Sequence, residues 1–288
     1  MNILRMLSVL VLLLAGVAGA ASAQPKLKLG DNAALRYWAA FSEMRDAGIT
    51  EQQAKELNLI LDGTAPYDDL KYRDLVEKNR PALEVMARGT ALPNCDWGLD
   101  YELRDQTPVE YVRNALQLGR LNVLYAFHQM ITGDKDGAAR TLAAGMRFSH
   151  DVANGGSLFA TLVAKDLLTT HFRAVAFELH FEVSSAQRMV LQRAVAQLGP
   201  DGLDWQSAIK REMGALNRPD WQMSVPLGSV TLAYAAALQD ASALPQLEKV
   251  LATVPQPLRD VIPNPKEVLG QKQGFTDQLS QMRSLLRD

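Results

Sequence analysis

The residues best equipped for chemistry lie in one stretch without helical periodicity, from about Thr90 to Gln106. It contains Cys95, the single cysteine of the chain. A cysteine acts as a nucleophile when a base, usually histidine, lies beside it in the folded protein. The chain has four histidines, but no protease-like motif flanks Cys95. We therefore interpret Cys95 as a buried or loop-packing residue.

Acidic and aromatic residues follow the cysteine directly. Trp97 comes after Asp96, and Tyr101 lies between Asp100 and Glu102. Paired carboxylates near aromatic side chains are the equipment of glycan-cleaving enzymes. Such residues are also common in turns, where Asp side chains bond nearby backbone groups. We favour the structural interpretation, and keep the three acids as candidate catalytic residues and Trp97 and Tyr101 as candidate binding residues.

The same stretch carries a prediction about its own anchoring. Trp97 is large, lies outside helical periodicity, and is flanked by the turn formers Asn94, Asp96 and Gly98. A loop this long persists in a compact domain when something anchors it. We predict that Trp97 inserts against the helical core. Asp96 should bond to backbone amides or to an arginine such as Arg120.

Polar residues also interrupt the most apolar stretch of the chain, between residues 107 and 132. Arg120, Asn122 and His128 must find partners there. Either they line a pocket between helices, which makes Arg120 and His128 candidate binding residues, or they tie the acidic loop to the core. We favour the second interpretation. The histidines form no metal-binding motif, and no phosphate loop or dinucleotide fingerprint is present, so we expect neither metal nor cofactor.

Helices must position all of these residues, because apolar residues recur at three- and four-residue spacing almost everywhere. Capping boxes at Thr50 and Ser184 predict two helix starts. A central, mostly apolar helix should begin at Thr107 and stop at Gly133, with Leu121 and Leu124 in the core. The predicted fold class is all-α, with antiparallel helical hairpins stacked as a bundle or as a short tetratricopeptide-like array.

Two helices carry more detailed expectations. Pro81 should kink or break the helix over residues 68–88, because proline removes a backbone hydrogen bond and clashes with the preceding turn. The helix after Gly133 should be capped by Asp136 and be amphipathic. Its predicted outer residues are Arg140, Arg147, Asp151 and Asn154.

The two ends of the chain differ from its middle. Residues 1–23 combine one basic residue, an apolar core and a final Ala-Ser-Ala, the pattern of a signal peptide cleaved before Gln24. An uncleaved membrane anchor is the alternative, although the apolar run is shorter than the roughly 20 residues that span a bilayer. Residues 24–217 should form the helical-hairpin domain. Residues 218–288 should form a proline-interrupted helical extension, with segments at about 229–239, 242–252 and 276–287.

Composition excludes some classes of partner. The net charge is −2, and cleavage of the signal peptide would remove one arginine and no acid, which makes it −3. A near-neutral, mildly acidic chain has no general attraction for nucleic acid or for anionic lipid. No later segment is long and apolar enough to be a transmembrane helix. A single cysteine allows no internal disulfide, so hydrophobic packing must stabilise the fold.

Three segments carry a resemblance: residues 32–41 (Asn-Ala-Ala-Leu-Arg-Tyr-Trp-Ala-Ala-Phe), 79–85 (Asn-Arg-Pro-Ala-Leu-Glu-Val) and 92–98 (Leu-Pro-Asn-Cys-Asp-Trp-Gly). Together they resemble a group of uncharacterised exported bacterial proteins that are built of helical hairpins. The resemblance covers about residues 32–200. It implies an all-α fold and export, and it implies no activity and no site residues.

These observations favour one function and leave a second open. The first is a periplasmic or secreted helical module that binds another protein or a peptide of the cell envelope, since stacked hairpins present concave surfaces. The alternative is a cell-envelope hydrolase that acts on glycans with the carboxylates of residues 96–102. Clustering of these carboxylates in a deep cleft would favour the enzyme, whereas turn hydrogen bonds would favour the binding module.

Overall fold

The computed structural model describes residues 29–45, 50–99, 110–178, 183–216 and 227–287, so the predicted signal peptide lies outside the described residues. Within these ranges the chain is all-α, as predicted, and the one β-bridge joins Asn32 to Asn94. The described helices are α1 (Ala33–Glu43), α2 (Glu51–Leu61), α3 (Asp69–Thr90), α4 (Glu110–Ile131), α5 (Lys135–Ala153), α6 (Leu158–Glu178), α7 (Ser185–Ala196), α8 (Trp205–Leu216), α9 (Leu227–Gln239), α10 (Leu244–Ala252), α11 (Gln256–Arg259) and α12 (Pro265–Arg287).

Helix ends follow the local signals closely. Thr50 and Ser184 both form complete capping boxes, at the starts of α2 and α7. Gly133 follows α4 with a φ of +90°, a left-handed conformation that glycine adopts without steric cost. The N-cap of α5 lies two residues before the predicted one. Asp134, not Asp136, accepts the free N–H group of Gly137.

The helices pack as antiparallel hairpins around α5. This helix contacts α3, α4, α6 and α7, while α1 lies on α3 and α2 lies between α4 and α6. Leu121 and Leu124 of α4 are 5% and 2% exposed, which confirms the prediction that both are core residues. The described helices thus form a helical bundle in which α4 and α5 make the centre.

The predicted break at Pro81 does not occur, because α3 runs unbroken through it. A proline inside a helix costs about 3 kcal/mol or more. Packing of the helix on both sides of the proline outweighs that cost, since Val76 and Met86 are fully buried. Asn79, two residues before the proline, also links α3 to the segment after α1. Its side-chain amide forms hydrogen bonds with the backbone N–H and carbonyl of Arg45.

The C-terminal helix is longer than its predicted segment of 276–287. It begins at Pro265, the first helical position, where the missing N–H group of proline costs nothing. It packs against α6 and α7, and Phe275 stacks on Phe172 with ring centroids 6.1 Å apart. The predicted boundary at residues 217 and 218 lies outside the described residues. Among the described helices, none has the length and apolarity needed to cross a membrane.

Candidate functional site

The loop over residues 91–99 is held first by Asn32. The Asn32 carbonyl oxygen Oδ1 caps α1 at Ala34 and also accepts the backbone N–H of Asp96 at 2.9 Å. Its amide nitrogen donates to the Asp96 carbonyl at 2.7 Å. The backbone N–H of Ala33 donates to the Asn94 carbonyl, also at 2.7 Å. Two of the segments that carry the family resemblance therefore meet at the start of α1.

Trp97 anchors the same loop, as predicted. The side chain is 5% exposed and lies among aromatic rings of α1 and α4. Its ring is parallel to that of Phe41 at 6.0 Å and is 4.3 Å from that of Tyr111. The indole Nε1 donates to the backbone carbonyl of Asp151 at 2.8 Å. Trp97 thus joins the loop to α5, and its burial points to a packing role.

The Asp96 carboxylate is exposed and accepts the backbone N–H of Gly98 at 2.9 Å. Of the two predicted alternatives for Asp96, the bond to a backbone amide is therefore the one that forms. Arg120 makes no contact with this loop. The remaining candidates of the loop, at positions 100–102, are Asp100, Tyr101 and Glu102, and they lie outside the described residues.

Cys95 is half-buried, and its Sγ lies 3.7 Å from the Asp151 carbonyl oxygen. Burial raises the pKa of the thiol well above its usual range, and the nearby Asp151 carboxylate raises it further. Because the thiolate is the nucleophilic form, these surroundings make Cys95 unreactive. They support the interpretation of Cys95 as a packing residue.

The burial of Asp151 is the largest difference between the sequence-based prediction and the structure. It was predicted on the outer face of its helix, but it is fully buried. Its carboxylate accepts a hydrogen bond of 2.7 Å from the Tyr37 hydroxyl and pairs with Nε of Arg147 at 3.1 Å. Burial, and then the Asp151 charge, raise the pKa of Tyr37 far above its usual range. The prediction failed because other helices pack against α5 on two sides. An amphipathic pattern, by contrast, predicts a single buried face.

The predicted network between the acidic loop and the polar residues of α4 does not include Asp96, and the other two acids of the loop lie outside the described residues. His128 instead lies between two carboxylates of α3, with Nδ1 2.6 Å from Asp69 and Nε2 3.3 Å from Glu77. Asn122 lies 3.1 Å from Nε2 of His171. Both residues tie α4 to its neighbouring helices, and Arg120 is exposed. In the described part of the chain, no group of His, Cys, Asp or Glu side chains is arranged to hold a metal ion.

A groove of about 340 Å³ opens between α2, α3 and α4. Its apolar walls come from leucines, with Leu57 and Leu61 on α2 facing Leu116, Leu121 and Leu124 on α4. We call it the α2–α4 groove. Sparse packing of α2 against the rest of the bundle leaves this space open.

Two arginines of α4, Arg113 and Arg120, line the α2–α4 groove, with Gln117 between them. All three side chains are exposed. Neither guanidinium group has a hydrogen-bond or ion-pair partner in the described part of the chain. Among the described residues that line the groove, none is acidic. Of these three residues, only Arg120 was predicted from the sequence as a candidate binding residue. The polar stripe that positions 113, 117 and 120 form on an otherwise apolar helix was nevertheless visible in the sequence.

A second cavity of about 420 Å³ lies between α6 and α12 and shares Arg120 with the groove. Its other cations already have partners. Arg173 pairs with Asp62 at 3.0 Å, and Lys165 donates to Gln271 at 2.6 Å. Asp62 and Asp166 also line this second cavity, where they pair with Arg173 and Lys165. Among the described residues, Arg113 and Arg120 are thus the two charged groups of the groove without an ion-pair partner, and the arrangement suits a ligand that is apolar and anionic.

Comparisons of the chain with family models, with curated proteins and with solved structures returned no match. The resemblance drawn from the three sequence segments therefore stays a prediction.

Proposed function

We propose that this protein is exported and binds a peptide segment of another protein in the α2–α4 groove. The observation that carries the proposal is a largely apolar groove whose rim holds Arg113 and Arg120, for which the described residues provide no ion-pair partner. Leu57, Leu61, Leu121 and Leu124 in its floor are buried, and the half-buried Leu75 and Leu116 complete its wall. A concave, largely apolar site with a few polar groups is the usual form of a ligand pocket. Charged groups at the rim then give orientation and specificity.

The dimensions of the groove suit a peptide. It follows α4 from Arg113 to Leu124, about 16 Å at 1.5 Å per residue, or about three helical turns. An amphipathic helix that docks in an apolar groove places its anchoring side chains over such a distance. Helical bundles present grooves of this kind wherever two neighbouring helices diverge.

The alternative of a glycan hydrolase has less support. Asp96, one of its three candidate carboxylates, is engaged in a turn hydrogen bond on an exposed loop. That is the arrangement that favours the binding module. The hydrolase makes a separate prediction: Asp100→Asn or Glu102→Gln should abolish release of soluble fragments from cell-wall glycan and leave thermal melting unchanged.

Export to the periplasm or the medium is the second part of the proposal. It is supported by the signal-peptide pattern of residues 1–23. The partner would accordingly be another protein or peptide of the cell envelope.

A photo-crosslinking amino acid at Gln117 tests the proposal in intact cells. Gln117 lies in the groove and is exposed, so the substitution should not disturb folding. Gln246, an exposed glutamine on α10, is the matched control position. We expect a discrete crosslinked product from position 117, with one peptide segment identified by mass spectrometry, and none from position 246. Equal products from both positions, or no product from position 117, would refute groove binding.

A further inference from the structure

We infer that the ligand of the α2–α4 groove is an acidic amphipathic helix, with two carboxylates seven residues apart and apolar side chains between them. This inference rests on the proposed function, since it names the class of peptide that the same groove takes. It depends on three features of the groove: its uncompensated charge, the spacing of that charge, and the apolar wall between the charges.

The charge of the groove is local. The chain as a whole has a net charge of −2, yet the described lining of the groove contains two arginines and no acidic residue. Arginine presents a planar fork of donors that matches a carboxylate in two parallel hydrogen bonds. Among the described residues, neither Arg113 nor Arg120 has a carboxylate partner that a ligand would have to displace.

The spacing of the two arginines selects a helical ligand. Seven residues of α-helix correspond to an axial separation of about 10.5 Å, and the two side chains then lie on nearly the same line of α4. A helical ligand alongside α4 matches this with carboxylates at positions i and i+7. An extended ligand covers the same distance in about three residues. Side chains an odd number of residues apart on an extended chain point to opposite faces, so two of its carboxylates could not both reach the arginines.

Gln117 lies between the arginines, and the wall around it is apolar. Leu116 and Leu121 of α4 face Leu57 of α2 across the groove. A helical ligand that places its acids at i and i+7 presents positions i+3 and i+4 on the same face. Leucine or another aliphatic residue at those positions would fill the groove, and the two carboxylates would lie over Arg113 and Arg120.

A displayed library of helical peptides, selected on three forms of the mature protein, tests this inference. The wild-type protein is compared with Gln117→Trp, which fills the groove from an exposed position, and with the Arg113→Gln/Arg120→Gln double variant. Arg140→Gln is the control for loss of charge, because Arg140 is an exposed arginine of α5 without a partner in the described residues. Circular dichroism melts establish that all variants fold.

We expect the wild type and Arg140→Gln to enrich peptides with acids at i and i+7 and apolar residues between them. A synthetic peptide of that pattern should bind the double variant at least about tenfold more weakly at low salt, and the difference should shrink as salt rises. Its counterpart with glutamines in place of the acids should bind both forms equally.

The outcomes separate the two proposals. One outcome is that the enriched peptides are neutral, fail to bind Gln117→Trp and still bind the double variant. That result would overturn the acidic class of ligand and leave the groove as a peptide-binding site. Peptides that bind Gln117→Trp as well as wild type, or no enrichment at all, would overturn both proposals.

Discussion

The buried His171 on α6 should make this protein lose stability in mild acid. Its ring is fully buried, and Nδ1 lies 2.7 Å from the Leu167 carbonyl oxygen, which accepts and therefore places the ring proton on Nδ1. The other nitrogen, Nε2, lies 3.1 Å from Oδ1 of Asn122. With the proton on Nδ1, Nε2 is an acceptor, so the pairing requires the Asn122 amide to present its NH2 group at this place. Burial lowers the pKa of His171 from 6.5 to about 4, and the Leu167 carbonyl offsets this only in part. The folded protein therefore keeps His171 neutral at pH values where the unfolded chain binds a proton.

The size of the effect follows from the difference between the two pKa values. Below pH 6.5 the unfolded chain takes up a proton that the folded protein excludes, so the free energy of unfolding falls as the pH falls. The loss proceeds at up to about 1.4 kcal/mol per pH unit and ends near pH 4, where the folded protein also binds the proton. The total is about 3 kcal/mol, a large fraction of the stability of a typical domain.

Urea unfolding at a series of pH values between about 4 and 7.5 measures this loss. Carboxylates also titrate toward the lower end of that range, so the His171 contribution is the difference between the wild-type curve and that of His171→Gln. His150→Gln, at a partly exposed position of α5, is the control for removal of a histidine. NMR titration of the imidazole protons gives the pKa directly. Parallel stability curves for wild type and His171→Gln, or a ring that titrates near 6.5, would refute the reasoning.

Four further predictions concern the core and the processing of the chain. Trp97→Ala should lower the free energy of unfolding by about 3–5 kcal/mol, and Trp97→Phe should lower it less, because the phenyl ring keeps most of the packing and loses the hydrogen bond; a Trp97→Ala protein that melts like wild type contradicts the anchoring role. Leu124→Ala should cost about 2–5 kcal/mol in the same measurement, and a cost below about 1 kcal/mol would mean that the site is not tightly packed. Asp151→Ala should cost about 1–3 kcal/mol, because it leaves the buried Tyr37 hydroxyl without its hydrogen-bond acceptor; chemical denaturation at pH 7 decides this, and a cost within about 0.5 kcal/mol of zero would be evidence against it. Intact-mass analysis of the exported protein should show a chain that begins at Gln24, and a mass that retains residues 1–23 would indicate a membrane anchor instead.

Local patterns in the sequence were sufficient to predict several of the helix ends. The capping boxes at Thr50 and Ser184 and the glycine stop at Gly133 depend on neighbours within a few residues, so they form largely independently of the rest of the fold. The anchoring of Trp97 was also predictable. A large apolar side chain in a loop gains about 3–5 kcal/mol from burial, and the core is the one place that supplies it.

The surroundings of each helix depended on the tertiary structure. Periodicity shows which side chains of a helix are apolar, but not how many other helices pack against it. Asp151 was therefore placed on an outer face, although α5 is covered on both sides and Tyr37 from α1 bonds to the carboxylate. For the same reason Pro81 was expected to break a helix that packing keeps continuous.

The α2–α4 groove was not predictable from the chain. It exists because α2 and α4, which are separated in the sequence by the whole of α3, pack only sparsely against each other. That Arg113 and Arg120 are arginines, seven residues apart, can be seen in the sequence. Whether they have ion-pair partners depends on which side chains the other helices bring within about 4 Å of them. Only the folded structure decides this, because an ion pair between distant residues forms by tertiary contact and not by spacing along the chain.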